Sequence, residues 1–209
     1  MNRLVFLDLE TTGLDPNTHC ILEVGISIYD MDNLITPVAE RSWLVHPQSR
    51  TYYGDHVNVV DANEWWDIFG ECDSIVIDMH SKNGLAQEIA DGLTHGTLRS
   101  VDEVEAQARN FVLEHSCSVR PPMCGKSLHA LDRPFLRKFM PLLDGAFTHR
   151  NLDVSQLRML HDMGWMGDFE LESLRLGTAH RALDDNHEAA ILLDGYRKRL
   201  GMLPVRVYG

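Results

Sequence analysis

Asp8 and Glu10 stand one residue apart at the end of an apolar run, Leu4-Val5-Phe6-Leu7. If a β-strand continues through them, alternation directs both side chains to one face. Two carboxylates aimed together repel and raise one another's pKa unless a cation compensates, which makes such a pair on a core strand costly without a purpose. The other reading ends the strand at Leu7 and leaves both acids solvated, and for this pair alone the two readings balance. A second group lies at the far end of the chain, in His180-Arg181-Ala182-Leu183-Asp184-Asp185. A helix starting near Arg181 offers Asp184 or Asp185 beside the unpaired N–H groups of its first turn, with His180 on a flexible lead-in. Were both helical, the offset from His180 to Asp185 would set them about 140° apart around the axis, so a shared site requires His180 to lie outside the helix. The alternative makes Asp184 and Asp185, and Asp132 in Leu131-Asp132-Arg133-Pro134-Phe135-Leu136, ordinary acids favourable to a helix dipole.

The elements that must bring these groups together are legible in part. Arg3 to Leu9, Ile21 to Tyr29 and Leu34 to Val45 read as strands, with Asp30-Met31-Asp32-Asn33 as the turn between the last two. That opening is an antiparallel meander whose first loop, Thr11 to Cys20, is free to carry function. From Gln48 to Met79 the periodicity dissolves around Tyr52, Tyr53, Trp65, Trp66 and Phe69, an irregular insertion at about 48–79. Asn83 to Asp91 predicts a short helix, and the Ser-Val-Asp-Glu capping box at Ser100 opens an amphipathic helix to His115. Pro121 to Gly125 predicts a buried strand, Leu131 to Met140 a helix stopped by Pro141, and Arg150 to Val154 another strand. Ser155 is a candidate cap for a helix through His161, and Ala182 to Leu200 predicts a last helix closed by Gly201. An early meander followed by strand and helix alternation predicts an α/β sheet with antiparallel and parallel pairs.

The bulk numbers narrow the classes. A chain of 209 residues suits one domain, 1–209, and 44% hydrophobic with 24% charged residues is the balance of a folded protein. Asp8 and Glu10 interrupt the first apolar run, which excludes a signal peptide or membrane span there, so a cytoplasmic location is expected. The four cysteines, Cys20, Cys72, Cys117 and Cys124, lack paired metal-ligand spacing and are expected to be small buried residues rather than disulfide partners or zinc ligands. A net charge of −12 argues against coating long nucleic acid, which rests on many Lys and Arg contacts to phosphates. Short nucleic acids remain compatible, because a carboxylate pocket loaded with divalent cations turns locally positive toward phosphate.

Asp8-Leu9-Glu10-Thr11-Thr12-Gly13-Leu14, then Asp132 before Phe135-Leu136, then His180 and Asp185, resemble in order and spacing the DEDD exonucleases of the histidine subclass, in the ribonuclease H-like superfamily. More narrowly, Asp8 to Pro16, Cys124-Gly125 with Ser127, Arg150-Asn151-Leu152-Asp153-Val154-Ser155 and His180 to Asp185 resemble oligoribonuclease, over nearly the whole chain. The resemblance implies a ribonuclease H-like mixed sheet, an antiparallel meander followed by parallel strands, flanked by helices. It implies a 3′→5′ exonuclease that hydrolyses short oligoribonucleotides or dinucleotides to nucleoside 5′-monophosphates. Asp8, Glu10, Asp132 and Asp185 would bind two Mg²⁺ or Mn²⁺ ions, with His180 as general base. The residue types suit that chemistry: hard cations take oxygen ligands, two of them about 3.5–4 Å apart activate water and neutralise charge on the phosphate, and an imidazole can accept the proton.

The narrower resemblance also implies that Ser127, Arg150 and Ser155 hold the 5′ phosphate of a dinucleotide and that Leu14 is an apolar wedge against a base. Arg150 carries the length limit, since a guanidinium grips phosphate with two donors. His80 matches a histidine of the family's substrate site. The family's stacking tryptophan, five residues earlier, falls on Ile75 here, leaving Trp65 or Trp66 to take its part. The resemblance implies a homodimer as well, with His149 standing where the family has a tyrosine that reaches the neighbouring subunit's substrate. One residue is inserted between Ser127 and Asp132 relative to the family. Alternatives are a broader single-stranded DNA or RNA 3′ exonuclease, a small-molecule phosphodiesterase, and a catalytically silent nucleic-acid-binding domain of the same fold.

Overall fold

In the computed structural model, which describes residues 3–47, 74–117, 120–167 and 180–201, the first apolar run forms β1 (Arg3–Thr11). The strand does not stop at Leu7: it carries Asp8 and Glu10 within its length, two residues beyond the predicted end. β2 (Ile21–Asp30) pairs antiparallel with it in a register that sets Asp8 opposite Gly25 and Glu10 opposite Glu23. β3 (Ala39–Leu44) continues the meander, while β4 (Met123–Gly125) and β5 (Asn151–Asp153) add parallel strands on the other side. The order is β3-β2-β1-β4-β5, so the acidic strand is central.

Burial on both faces explains the unbroken apolar run of β1. Val5 and Leu7 pack with α3 (Val101–His115) and α4 (Asp132–Phe139), whereas Leu4 and Phe6 pack with the last helix, α7 (Ala182–Arg199). Strand alternation then puts Asp8 and Glu10 on the α7 side with Leu4 and Phe6. Gly25 permits the approach: a Cβ there would lie 2.6 Å from the Ala182 Cβ and 2.7 Å from its carbonyl carbon. Helix α7 thus starts against β2, directly across from Asp8.

The capping box of α3 forms as predicted, with Ser100 Oγ accepting from the Glu103 amide at 3.3 Å and Glu103 Oε2 accepting from the Ser100 amide at 2.9 Å. Left-handed Gly201 lies just past α7, as expected, two residues beyond Arg199.

Other elements depart from expectation. The third strand begins at Ala39 rather than Leu34, because residues 31–38 form a longer connection containing Pro37, which has no N–H for the ladder. Ser74–Lys82 is helix α1, so the end of the stretch expected to be irregular is regular; its remainder, residues 48–73, lies outside the described residues. The next helix, α2 (Leu85–His95), starts later and ends later than predicted, since Gly84 at φ 85° is left-handed and cannot open an α-helix as its first turn. Pro141 ends α4 but opens the short α5 (Pro141–Asp144). Helix α6 (Val154–Asp162) is capped by Asp153, whose carboxylate accepts from the Ser155 amide at 3.0 Å, and not by Ser155. Cys20 and Cys124 are buried thiols, but Cys117 is exposed, against expectation; Cys72 lies outside the described residues. Among the described residues no helix is long and apolar enough to cross a membrane.

Candidate active site

The end of β1 forms the floor of an open cavity. Asp8, Leu9, Glu10 and Thr11 line it from the strand, Leu14 from the following loop, Val76 and Met79 from α1, Asp185 from the first turn of α7 and His180 from just before that helix. One carboxylate oxygen from each of Asp8, Glu10 and Asp185 lies within 4.8 Å of the others. Asp184, the alternative partner in the same turn, is exposed and does not join them.

Asp132 stands outside that close-set group but within its field. Its Oδ1 accepts from the Leu9 amide at 2.9 Å, and its Oδ2 is buried with no hydrogen-bond partner among the described residues. Burial pushes the Asp132 carboxyl up to about 8, against the lowering pull of the Leu9 and Asp132 amides and with Asp153 and Asp185 adding to the rise. Burial likewise pushes Glu10 up to about 8, helped by Asp185, Glu23 and Asp132 and opposed by Arg181. Asp8 is held well above the usual carboxylate range by burial first, then by Asp132, Glu10 and Asp185, with Lys126 pulling the other way. These acids are crowded without enough positive charge, the condition that a bound cation relieves.

Lys126 was not foreseen as a site residue. Its ammonium hydrogen-bonds Asp185 Oδ1 and, at 2.6 Å, Glu188 Oε2, one turn further along α7. Burial alone would lower its pKa, but the bonds to the two carboxylates win and raise it. The signal was the parallel pairing of Phe6 with Cys124, which sets the residue two past Cys124 level with Asp8, and pairing between strands so distant in sequence is not readable from either alone.

His180 lies outside the helix, as a shared site requires, at φ 48°. The lead-in was expected to be flexible, yet from His180 onward it is anchored. Asn83 Nδ2 donates to the His180 carbonyl, and the Arg181 guanidinium forks between buried Glu23, at 3.1 and 3.3 Å, and Glu88, at 2.9 Å twice. Glu23 also accepts from the Ala182 amide at 3.3 Å. Nothing local in the sequence marks Asn83, Glu23 and Glu88 for this anchoring role; only the fold reveals it.

Of the residues assigned to substrate, Leu14 is 77% exposed at the cavity edge. Ser127 and Ser155 line the cavity together: the Ser127 amide donates to Ser155 Oγ at 2.9 Å and to Asp153 Oδ1 at 3.1 Å. Arg150 is exposed just before β5 and is not among the lining residues, as is His149 beside it. His80 does not reach the cavity. It is fully buried, with Nε2 2.9 Å from the Thr11 carbonyl and 3.9 Å from Glu10 Oε2, and burial lowers its pKa, so the neutral ring donates to that carbonyl. Its place is behind the acidic strand end. Ile75 is exposed on α1, and Trp65 and Trp66 lie outside the described residues.

No family model matches the chain. Curated relatives do. The oligoribonuclease of Neisseria meningitidis serogroup C is 33% identical over 197 residues, 94% of this chain and 91% of the relative. That of Francisella tularensis is 32% identical over 199 residues, 95% of this chain and 96% of the relative, and that of Pseudomonas aeruginosa 32% over 194 residues, 93% of each. Among solved structures, zinc-bound E. coli exonuclease I in complex with single-stranded DNA superposes with a TM-score of 0.61 at 13% identity over 97% of this chain. Exonuclease I of Methylocaldum szegediense gives 0.62 at 13% identity. The chain spans 42% of either structure, so these likenesses show the fold, the ribonuclease H-like mixed sheet that the resemblance implied.

Proposed function

The chain belongs to the oligoribonuclease family, and from that premise we propose that it is a 3′→5′ exonuclease that releases nucleoside 5′-monophosphates from short oligoribonucleotides with Asp8, Glu10, Asp132 and Asp185 as ligands for two Mg²⁺ or Mn²⁺ ions. The observation that carries the metal assignment is the convergence of Asp8, Glu10 and Asp185 within 4.8 Å, beside a buried Asp132 oxygen with no hydrogen-bond partner among the described residues. Oxygen donors alone suit hard divalent cations, and two bound there would supply activated water and neutralisation of the phosphate and leaving oxygen.

The chain's own residues do the rest. Asp8 and Glu10 hold their carboxylates on a central strand, where the surrounding core resists displacement. Asp185 enters from the first turn of α7, whose unpaired N–H groups favour its negative charge. His180, anchored through its own carbonyl, presents an imidazole to the cavity to take the proton of the attacking water. Leu14 lies at the edge where a terminal base would rest, and Ser127 with Ser155 offers hydroxyls to the 5′ phosphate. Arg150 would close the groove beyond that phosphate.

A second reading, a broader 3′ exonuclease of single strands, is favoured by one observation: Arg150 is exposed and outside the lining, so the groove is not closed by it here. A time course on a diribonucleotide and on a strand of about twenty nucleotides, each with Mg²⁺ and with EDTA, separates the two. Much faster loss of the diribonucleotide, abolished by EDTA, is expected. Equal rates on both lengths favour the broader enzyme, and turnover that persists in EDTA removes the metal assignment.

A further inference from the structure

Lys126 is the only lysine or arginine among the described residues lining the acidic cavity. Its ammonium sits on Asp185, one of the three converging carboxylates, and on Glu188, with the side chains only 22%, 9% and 14% exposed. Pairs this sheltered are screened much less by salt than surface pairs. A divalent cation drawn to Asp8, Glu10 and Asp185 therefore meets a carboxylate already engaged by a positive group and must approach that group's charge.

We propose that Lys126 is a built-in counter-cation that occupies the Asp185 side of the site before loading and is displaced from Asp185 when a divalent ion binds. Glu188 makes the exchange feasible. It holds the ammonium at 2.6 Å independently of Asp185, so the lysine yields one carboxylate and keeps the other instead of being left buried and unpaired. The device lowers affinity at that position and steadies the acidic cavity while it is empty. It rests on the metal assignment made above.

The test is calorimetric titration of Mn²⁺ into metal-stripped full-length protein, wild type against Lys126→Met, with Lys126→Gln as the substitute if the first does not fold and Lys126→Arg to retain the charge. Removing a unit charge a few ångströms from a divalent ion should tighten binding at least about fivefold. Lys126→Arg should stay within about twofold of wild type. The metal-stripped Met or Gln variant should also melt below wild type, and saturating Mn²⁺ should close that gap. Unchanged or weaker Mn²⁺ affinity in the neutral variants, with wild-type binding intact, overturns this proposal alone. Absence of Mn²⁺ binding in every form overturns it together with the metal assignment.

Discussion

The inner end of the cavity and its rim are built differently. Asp8, Glu10, Asp132 and Asp185 are carried by a central strand and two helices, are buried or, for Asp8, half-buried, and are fixed by register and by bonds such as that from the Leu9 amide to Asp132. Leu14, Ser127 and Arg150 stand on exposed connections. Chemistry that tolerates little displacement is placed where packing enforces position, while groups that only select a substrate sit where they can be exchanged without disturbing the core. The inner groups pay in crowded charge, and the rim groups do not.

Three experiments test that division. Replacing His180 by alanine should lower turnover of a diribonucleotide by about 10²–10⁴-fold while Mn²⁺ binding persists, since a general base is lost and no carboxylate is touched. Loss of metal binding in this variant would show that the inner end is not separable in that way. Arg150→Ala should act on selection instead, cutting the preference for the diribonucleotide over long strands by about tenfold, the worth of a charge-assisted bond to phosphate, with little change on the long strand. An equal loss on both lengths would move Arg150 from rim to core.

The smallest effect is on stability. Glu10 and Asp132 are raised to about 8 in the fold and Asp8 is raised too, so the folded protein without metal binds more protons than the unfolded chain. Their contribution is fully present below the ordinary carboxyl pKa near 4 and is lost as pH rises through about 8. The melting temperature of the metal-stripped protein should fall by a few degrees between about pH 5 and pH 8, and Mg²⁺ should restore more of it at the higher pH. A flat or rising curve without metal would mean that the inner acids are not crowded as described.

How much of this was legible depended on the range of the signal. Strand alternation put Asp8 and Glu10 together because it is local, and the Ser100 capping box marked α3 for the same reason. His180 outside the helix followed from helical geometry once a site shared with Asp185 was required. Helix α1 was hidden because its buried residue is the polar His80, leaving no apolar stripe to read. Asp153 and Ser155 are both good caps, and the fold gives the place to Asp153, whose carboxylate accepts from the Ser155 amide, while the Ser127 amide donates to both side chains. Lys126, Glu188 and the Glu23–Arg181–Glu88 fork depend on pairings between distant strands and helices, which no window of sequence contains.

Anomalous diffraction from crystals soaked in Mn²⁺ reports most directly on whether acids from distant segments form a cation site at the end of β1. A peak within about 2.0–2.6 Å of carboxylate oxygens of Asp8, Glu10 and Asp185 is predicted. Peaks confined to other acidic residues, with none at the end of β1, would contradict it.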